Sequence, residues 1–174
     1  RHSMGGKTAM VLDKLYQGFI SKLVIVDIAP VVYTINFEKY LKVLSSLDLG
    51  RFNMRSEIDT KLSEYFKEVS FRSFLMQNLK MDEKKSFYWR VNLTSLIRNA
   101  MAISEFPVIN GVSNTEALFL YGELSEYGVM EHKDTIQKSF PLSEFAPVAK
   151  AGHWVHVEKP VKFLEIVTKF IKSD

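Results

Sequence analysis

The chain contains no cysteine, no long apolar run and no block of like charge, and each absence removes a class of protein. Without cysteine there is neither a disulfide framework nor a thiolate metal site, and a reducing compartment fits. The longest apolar stretches, Leu23–Val26 and Ala117–Tyr121, fall far short of the roughly 20 residues that a membrane-spanning helix needs, so no transmembrane segment is expected. No stretch reads as a signal peptide. The net charge is only +3, from 23 basic and 20 acidic side chains. Lysines are interspersed with glutamates, which describes a solvated surface and not a nucleic-acid footprint. GGK at 5–7 lacks the spacing of a P-loop. His153 and His156 form half of a metal pair at most, with no HExxH and no carboxylate cluster beside them, so no metal centre is expected.

What is present is a core-forming composition. Of 174 residues, 47% are hydrophobic and 25% charged, as expected of a globular domain. Residues 7–17 read as a helix with an apolar stripe at Ala9, Met10, Leu12 and Tyr16. LVIVDIAP (23–30) reads as a buried parallel strand carrying Asp27 near its end. Apolar residues then recur at helical spacing over 36–48, 55–69, 70–80 and 92–103, with a polar run at 80–85 and FYWRV (87–91) before the last block. Strand character returns at 117–122 and 145–149. A helix is expected over 129–139, and another opens at Pro160. Strands alternating with helices imply an α/β fold with a parallel sheet. The predicted organisation is a core of residues 1–30 and 104–174 interrupted by a helical cap over 31–103. The cap aromatics Phe37, Tyr40, Phe66, Phe71, Phe74 and Trp89 read mainly as its own core, with an acyl pocket as the alternative.

HSMGG (2–6) matches the second half of the Gly-x-Ser-x-Gly nucleophile elbow. Such an elbow strains the backbone of its serine at a tight strand-to-helix turn and needs small neighbours. Ser3 is then the nucleophile and the N–H of Met4 an oxyanion donor. Arg1 stands where the first glycine belongs, and its bulk is expected to crowd the turn. On this motif alone a glycine-containing turn is an equally good reading. AGHWVHVEKP (151–160) lies after a predicted strand and before the final helix, where this type of fold carries its base. Gly152 is expected to let the loop fold back, and Trp154 to wall the site. Ser3, Asp27 and His153 then follow the chain order Ser…Asp…His. His2 reads as a packed scaffold residue and His132 as a solvated one.

HSMGGKTAM, VDIAP, WRVNL and AGHWVHVEKP, in this order over nearly the whole chain, resemble the abhydrolase-domain-containing protein 11 group and related bacterial esterases. The resemblance implies the C-terminal part of an α/β-hydrolase, entered at the elbow and lacking the strand that leads into it. It further implies cleavage of acyl esters, with diacylglycerol or short-chain esters as candidate substrates, or acyl transfer to alcohols. A mitochondrial location and association with a metabolic enzyme complex are implied too, and no cofactor. An inactive fragment that only binds such a complex is the non-enzymatic reading. For the acid, Asp27 is preferred, with Glu123 and Glu126 as alternatives. Ser125 occupies the family-matched acid position after the next strand and reads as an auxiliary group bonding to the histidine. The residue after WRVNL, sometimes an aspartate in the family, is Thr94 here.

Overall fold

The structure is a computed structural model and describes residues 1–33 and 37–173. The chain forms two compact units, one of Arg1–Tyr33 with Glu105–Asp174 and one of Thr34–Ser104. The first unit opens with helix α1 (Met4–Leu15) and strand β1 (Lys22–Val26). The second holds helices α2 (Phe37–Ser46), α3 (Arg55–Leu62) and α4 (Val69–Met76), strands β2 (Leu79–Met81) and β3 (Phe87–Trp89), and helices α5 (Leu93–Arg98) and α6 (Ala100–Ser104). The chain then returns to the first unit through strand β4 (Glu116–Gly122), helix α7 (Lys133–Ser139), strand β5 (Ser143–Val148) and helices α8 (Val155–Glu158) and α9 (Pro160–Lys172).

The first unit is a parallel sheet in the order β1-β4-β5. Side chains alternate across a strand, so each strand supplies both faces. Leu23, Ile25, Ala117 and Phe119 pack on one face with Met10 of α1 and Ile136 of α7. Val26, Leu118, Leu120 and Val148 pack on the other with Val155 of α8 and Phe170 of α9. Burial on both faces explains why β1 and β4 read as unbroken apolar runs. A further parallel bridge, His2 to Val26, lies beside β1.

Several boundaries differ from the sequence reading. The first helix begins at Met4, directly after Ser3, and not at residue 7. Gly5 and Gly6 disguise this first turn, because glycine contributes no apolar stripe. β1 leaves the ladder after Val26, since Asp27 turns to φ 54°. The predicted helix over 55–69 stops at Leu62. Buried Arg72 donates from its guanidinium to the carbonyls of Phe66 (2.8 Å) and Lys67 (2.9 Å) and to Asp59 (3.0 Å), which satisfies an irregular backbone there without a continuous helix. Residues 79–81, expected to end a helix, pair antiparallel with 87–89. The polar run between them is the hairpin turn, with Lys85 at φ 63°. The span 129–139 divides into a 3-10 turn, Val129–His132, followed by α7. The expected last strand, 145–149, runs instead over Ser143–Val148. Residue 36, the expected start of the first insert helix, lies outside the described residues.

The insert aromatics that form its core are Phe66, which is buried, and Tyr40, Phe71 and Trp89, which pack against it. Tyr40, Phe66 and Phe71 meet edge to face, the geometry favoured by their quadrupoles. Phe37 and Phe74 are exposed.

Two glycines in the first unit permit close approach. A Cβ on Gly6 would lie 2.6 Å from the Ile28 side chain, so Gly6 seats α1 against the sheet. A Cβ on Gly122 would lie 2.2 Å from the carbonyl oxygen of Gly152 and 2.4 Å from that of Ala151. These are backbone atoms and cannot yield cheaply. Gly122→Ala is therefore expected to destabilise the protein by about 3 kcal/mol, the upper part of the usual overpacking range. Gly5→Ala, whose methyl would meet only the Arg1 side chain at 3.8 Å, is expected to cost less than about 1 kcal/mol. Chemical denaturation of the two variants checks the order.

Candidate active site

The site is assembled at the ends of β1 and β4 in the first unit. The amide of Ser3 donates to Val26 O at 3.0 Å, and Val26 N donates to Arg1 O at 2.8 Å. The residues before Ser3 thus run beside β1 as a parallel strand would. Ser3 itself adopts φ 52°, ψ −128°, a region that side-chain-bearing residues rarely enter and that costs on the order of 1–3 kcal/mol. α1 starts at the next residue, so the amide of Met4 stands at the helix end where N–H groups lack intrahelical acceptors. Arg1 is exposed, and a Cβ on Gly5 would meet its side chain at 3.8 Å, an ordinary contact. The tight approach falls at Gly6.

Asp27 follows β1 directly, also at positive φ (54°). Its amide donates to Leu120 O at 2.8 Å, and its carboxylate is wholly buried. Three donors converge on it. Gly122 N donates to Oδ1 at 3.0 Å, and His153 Nδ1 lies 2.7 Å from Oδ2. The Ser125 hydroxyl also donates to Oδ2. With the carboxylate as acceptor, Nδ1 of His153 carries the ring proton and Nε2 is the basic nitrogen. Ser125 therefore bonds to Asp27 and not, as expected, to the histidine. Glu123 and Glu126 are exposed in the turn after β4, and neither bonds to His153. Thr94 lies exposed on α5, in the other unit.

In the histidine loop the positive φ falls on Lys150, at 56°, and not on Gly152. The carboxylate of Glu158 accepts from Gly152 N (2.8 Å) and Trp154 N (3.1 Å), clasping the loop on either side of His153. Glu158 was not legible as a site residue. Its spacing of four from Trp154 fits a helix start, but α8 is only four residues long.

Around His153 lies an aromatic group. The Tyr127 ring stacks on it at 4.0 Å and 15°. His2 lies at 4.4 Å and Trp154 at 5.6 Å. His156 meets His2 at 4.9 Å. His2 Nε2 is 2.9 Å from the carbonyl oxygen of His153. A carbonyl only accepts, so His2 is protonated at Nε2. Burial, reinforced by neighbouring His153, lowers its pKa from 6.5 to about 4. Burial and His153 also lower that of His156. His132 is half-buried with its edge on Tyr33, and not solvated as expected. Among the described residues no cluster of His, Cys, Asp and Glu is arranged to hold a metal ion, and no helix is long and apolar enough to cross a membrane.

Because His2 titrates at about pH 4 when folded and near 6.5 when unfolded, the unfolded chain binds the extra proton between those values. The stability contributed by neutral His2 is complete above about pH 6.5 and is lost as pH falls toward about 4. The His2 ring resonances are expected to titrate near pH 4 by NMR. A midpoint near 6.5 would contradict the assignment.

Three similarities to known proteins stand beside this geometry. The chain is 35% identical over 176 residues to the sn-1-specific diacylglycerol lipase ABHD11 of Mus musculus, covering 98% of this chain and 57% of that protein. It is 31% identical to a probable alcohol acetyltransferase of Saccharomyces cerevisiae, covering 98% of this chain and 55% of the relative. The chain thus spans little more than half the length of these relatives. Among solved structures, a marine microorganism esterase superposes with a TM-score of 0.91 at 34% identity, over 97% of this chain and 67% of that one. No protein-family model matches the chain. Shared sequence over almost the full chain, on a parallel sheet with the same fold as that esterase, places it in one family: the chain belongs to the α/β-hydrolase superfamily.

Proposed function

We propose that the complete protein is a serine hydrolase of carboxylic esters, with Ser3 as nucleophile, His153 as general base and Asp27 as the acid that orients it. The observation that carries this reading is the 2.7 Å contact between His153 Nδ1 and the buried Asp27 carboxylate. Such a bond fixes the imidazole tautomer and stabilises the imidazolium that forms in the reaction. The strained backbone of Ser3, one strand away, adds support. So do the relatives named as lipase and esterase.

In the reaction, Nε2 of His153 takes the proton of the Ser3 hydroxyl as the oxygen attacks the ester carbonyl. The amide of Met4 donates to the developing oxyanion. His153 returns the proton to the leaving alcohol. Water then attacks the acyl-enzyme by the same proton route and releases the acid. Each step uses only protein groups, and no cofactor enters. A diacylglycerol or a short-chain ester is the substrate class, the former suggested by the mouse relative's name. The assignment of residues 31–103 as a cap and a mitochondrial location belong to the same reading.

The yeast relative's name favours a second outcome on the same residues, in which an alcohol and not water accepts the acyl group. Ester formation in the presence of added ethanol separates the two. Ser3→Ala in the complete protein is expected to abolish labelling by a fluorophosphonate probe, and labelling that persists removes Ser3 from the role. Asp27→Asn is expected to lower kcat by about four orders of magnitude, the usual result of a wrong imidazole tautomer. Near-normal turnover in that variant would return the choice to Glu123 or Glu126.

A further inference from the structure

We infer that Tyr127 is a positioning residue for His153, its ring holding the imidazole and favouring the imidazolium that forms when the proton leaves Ser3. The inference rests on His153 being the general base. Tyr127 follows Ser125 and Glu126 in the segment after β4. In the structure its ring lies nearly parallel to the imidazole, with centroids 4.0 Å apart and planes 15° apart. An aromatic face at that distance attracts a cation more than a neutral ring. The contact therefore gains strength as His153 takes the proton, which is the condition for lowering a barrier and not merely binding the ground state.

Tyr127 is itself built into the hydrogen-bonded set. Its amide donates to the Ser125 hydroxyl oxygen at 3.3 Å, and Ser125 in turn donates to Asp27. Its carbonyl accepts from the Tyr33 hydroxyl at 3.1 Å, and the same hydroxyl accepts from Ala29 N at 2.9 Å, two residues past Asp27. The Tyr33 and Tyr127 rings also meet, 5.0 Å apart. Burial pushes the Tyr33 hydroxyl well above its ordinary pKa, so it stays a donor. Acid, base and stacking ring are thus linked through Ser125 and Tyr33 to the segment that ends β1. His2, the other ring close to His153, has its pKa lowered to about 4. At neutral pH it is therefore uncharged and places no positive charge beside an imidazolium at His153.

The experiment uses the complete protein, with a fluorophosphonate probe and a short-chain p-nitrophenyl ester as substrate. Tyr127→Leu and Tyr127→Met keep apolar volume without a π face, and Tyr127→Phe keeps the face without the hydroxyl. Leu and Met are each expected to lower kcat about tenfold with KM changed less than about twofold, and to slow probe labelling in parallel. Phe, which keeps the face, is expected to retain more of kcat than Leu or Met. Thermal melting of the three variants close to wild type would separate this from loss of fold. The inference is overturned if either apolar variant that folds turns over at the wild-type rate. It is overturned equally if the loss lies in KM, or if Phe behaves as Leu does. Absence of Ser3 labelling in the unsubstituted protein would instead remove the underlying assignment of the site, and the inference with it.

Discussion

A buried carboxylate must be fully hydrogen-bonded or it destabilises the structure that buries it. Asp27 meets that demand with one backbone amide, one hydroxyl and one imidazole. Those three donors come from the end of β4, the turn after it and the loop after β5. The carboxylate therefore draws the ends of all three strands of the sheet toward one point. Much of the local geometry follows from this requirement. Gly122 must present its N–H to Asp27 while the histidine loop passes within van der Waals contact of its Cα. Ser125 must turn back, and His153 must bring Nδ1 inward.

The backbone carries the cost of this convergence. Positive φ falls on Ser3, Asp27 and Lys150, at the turn into α1, at the exit of β1 and just before the histidine loop. None of these is a glycine. Such conformations persist only where surrounding contacts over-determine them. Here those contacts are the backbone hydrogen bonds from Ser3 N to Val26 O and from Asp27 N to Leu120 O, and the Glu158 clasp on the loop. Polar side chains on α1 provide a second level of anchoring. Buried Asp13 accepts from the hydroxyls of Ser113 and Thr115. Lys7 and Lys14 donate to the carbonyls of Glu105 and Ile109. The helix behind Ser3 is thus tied to the segment by which the chain returns to the sheet. These buried polar contacts favour one register of helix against segment over its neighbours.

Relatives named as a diacylglycerol lipase and a probable alcohol acetyltransferase are 35% and 31% identical to this chain, and the proposed mechanism lets one set of residues serve both reactions. In the proposed mechanism the tautomer of His153 and the strain at Ser3 govern formation of an acyl-enzyme. In that mechanism, which nucleophile accepts the acyl group depends on what reaches it, not on the Asp27–His153 pair.

By itself the sequence determined the α/β class, the parallel character of the sheet and the candidate triad. Doubly buried strands must be continuous apolar runs, and HSMGG, VDIAP and AGHW carry their chemistry in local order. It also marked an insert, since helical periodicity over residues 36–103 departs from the strand–helix alternation. Hairpin 79–89 was hidden because its strands are three residues each, too short for alternation to register. Only the tertiary structure decided that Ser125 bonds to Asp27 and not to His153, that a tight approach falls at Gly6, and that Glu158 and Tyr127 stand against His153 and its loop. Those roles depend on which residues distant in the chain meet at one carboxylate. Local periodicity reports burial and secondary structure, whereas such meetings are settled by the register of three strands and the paths of their loops.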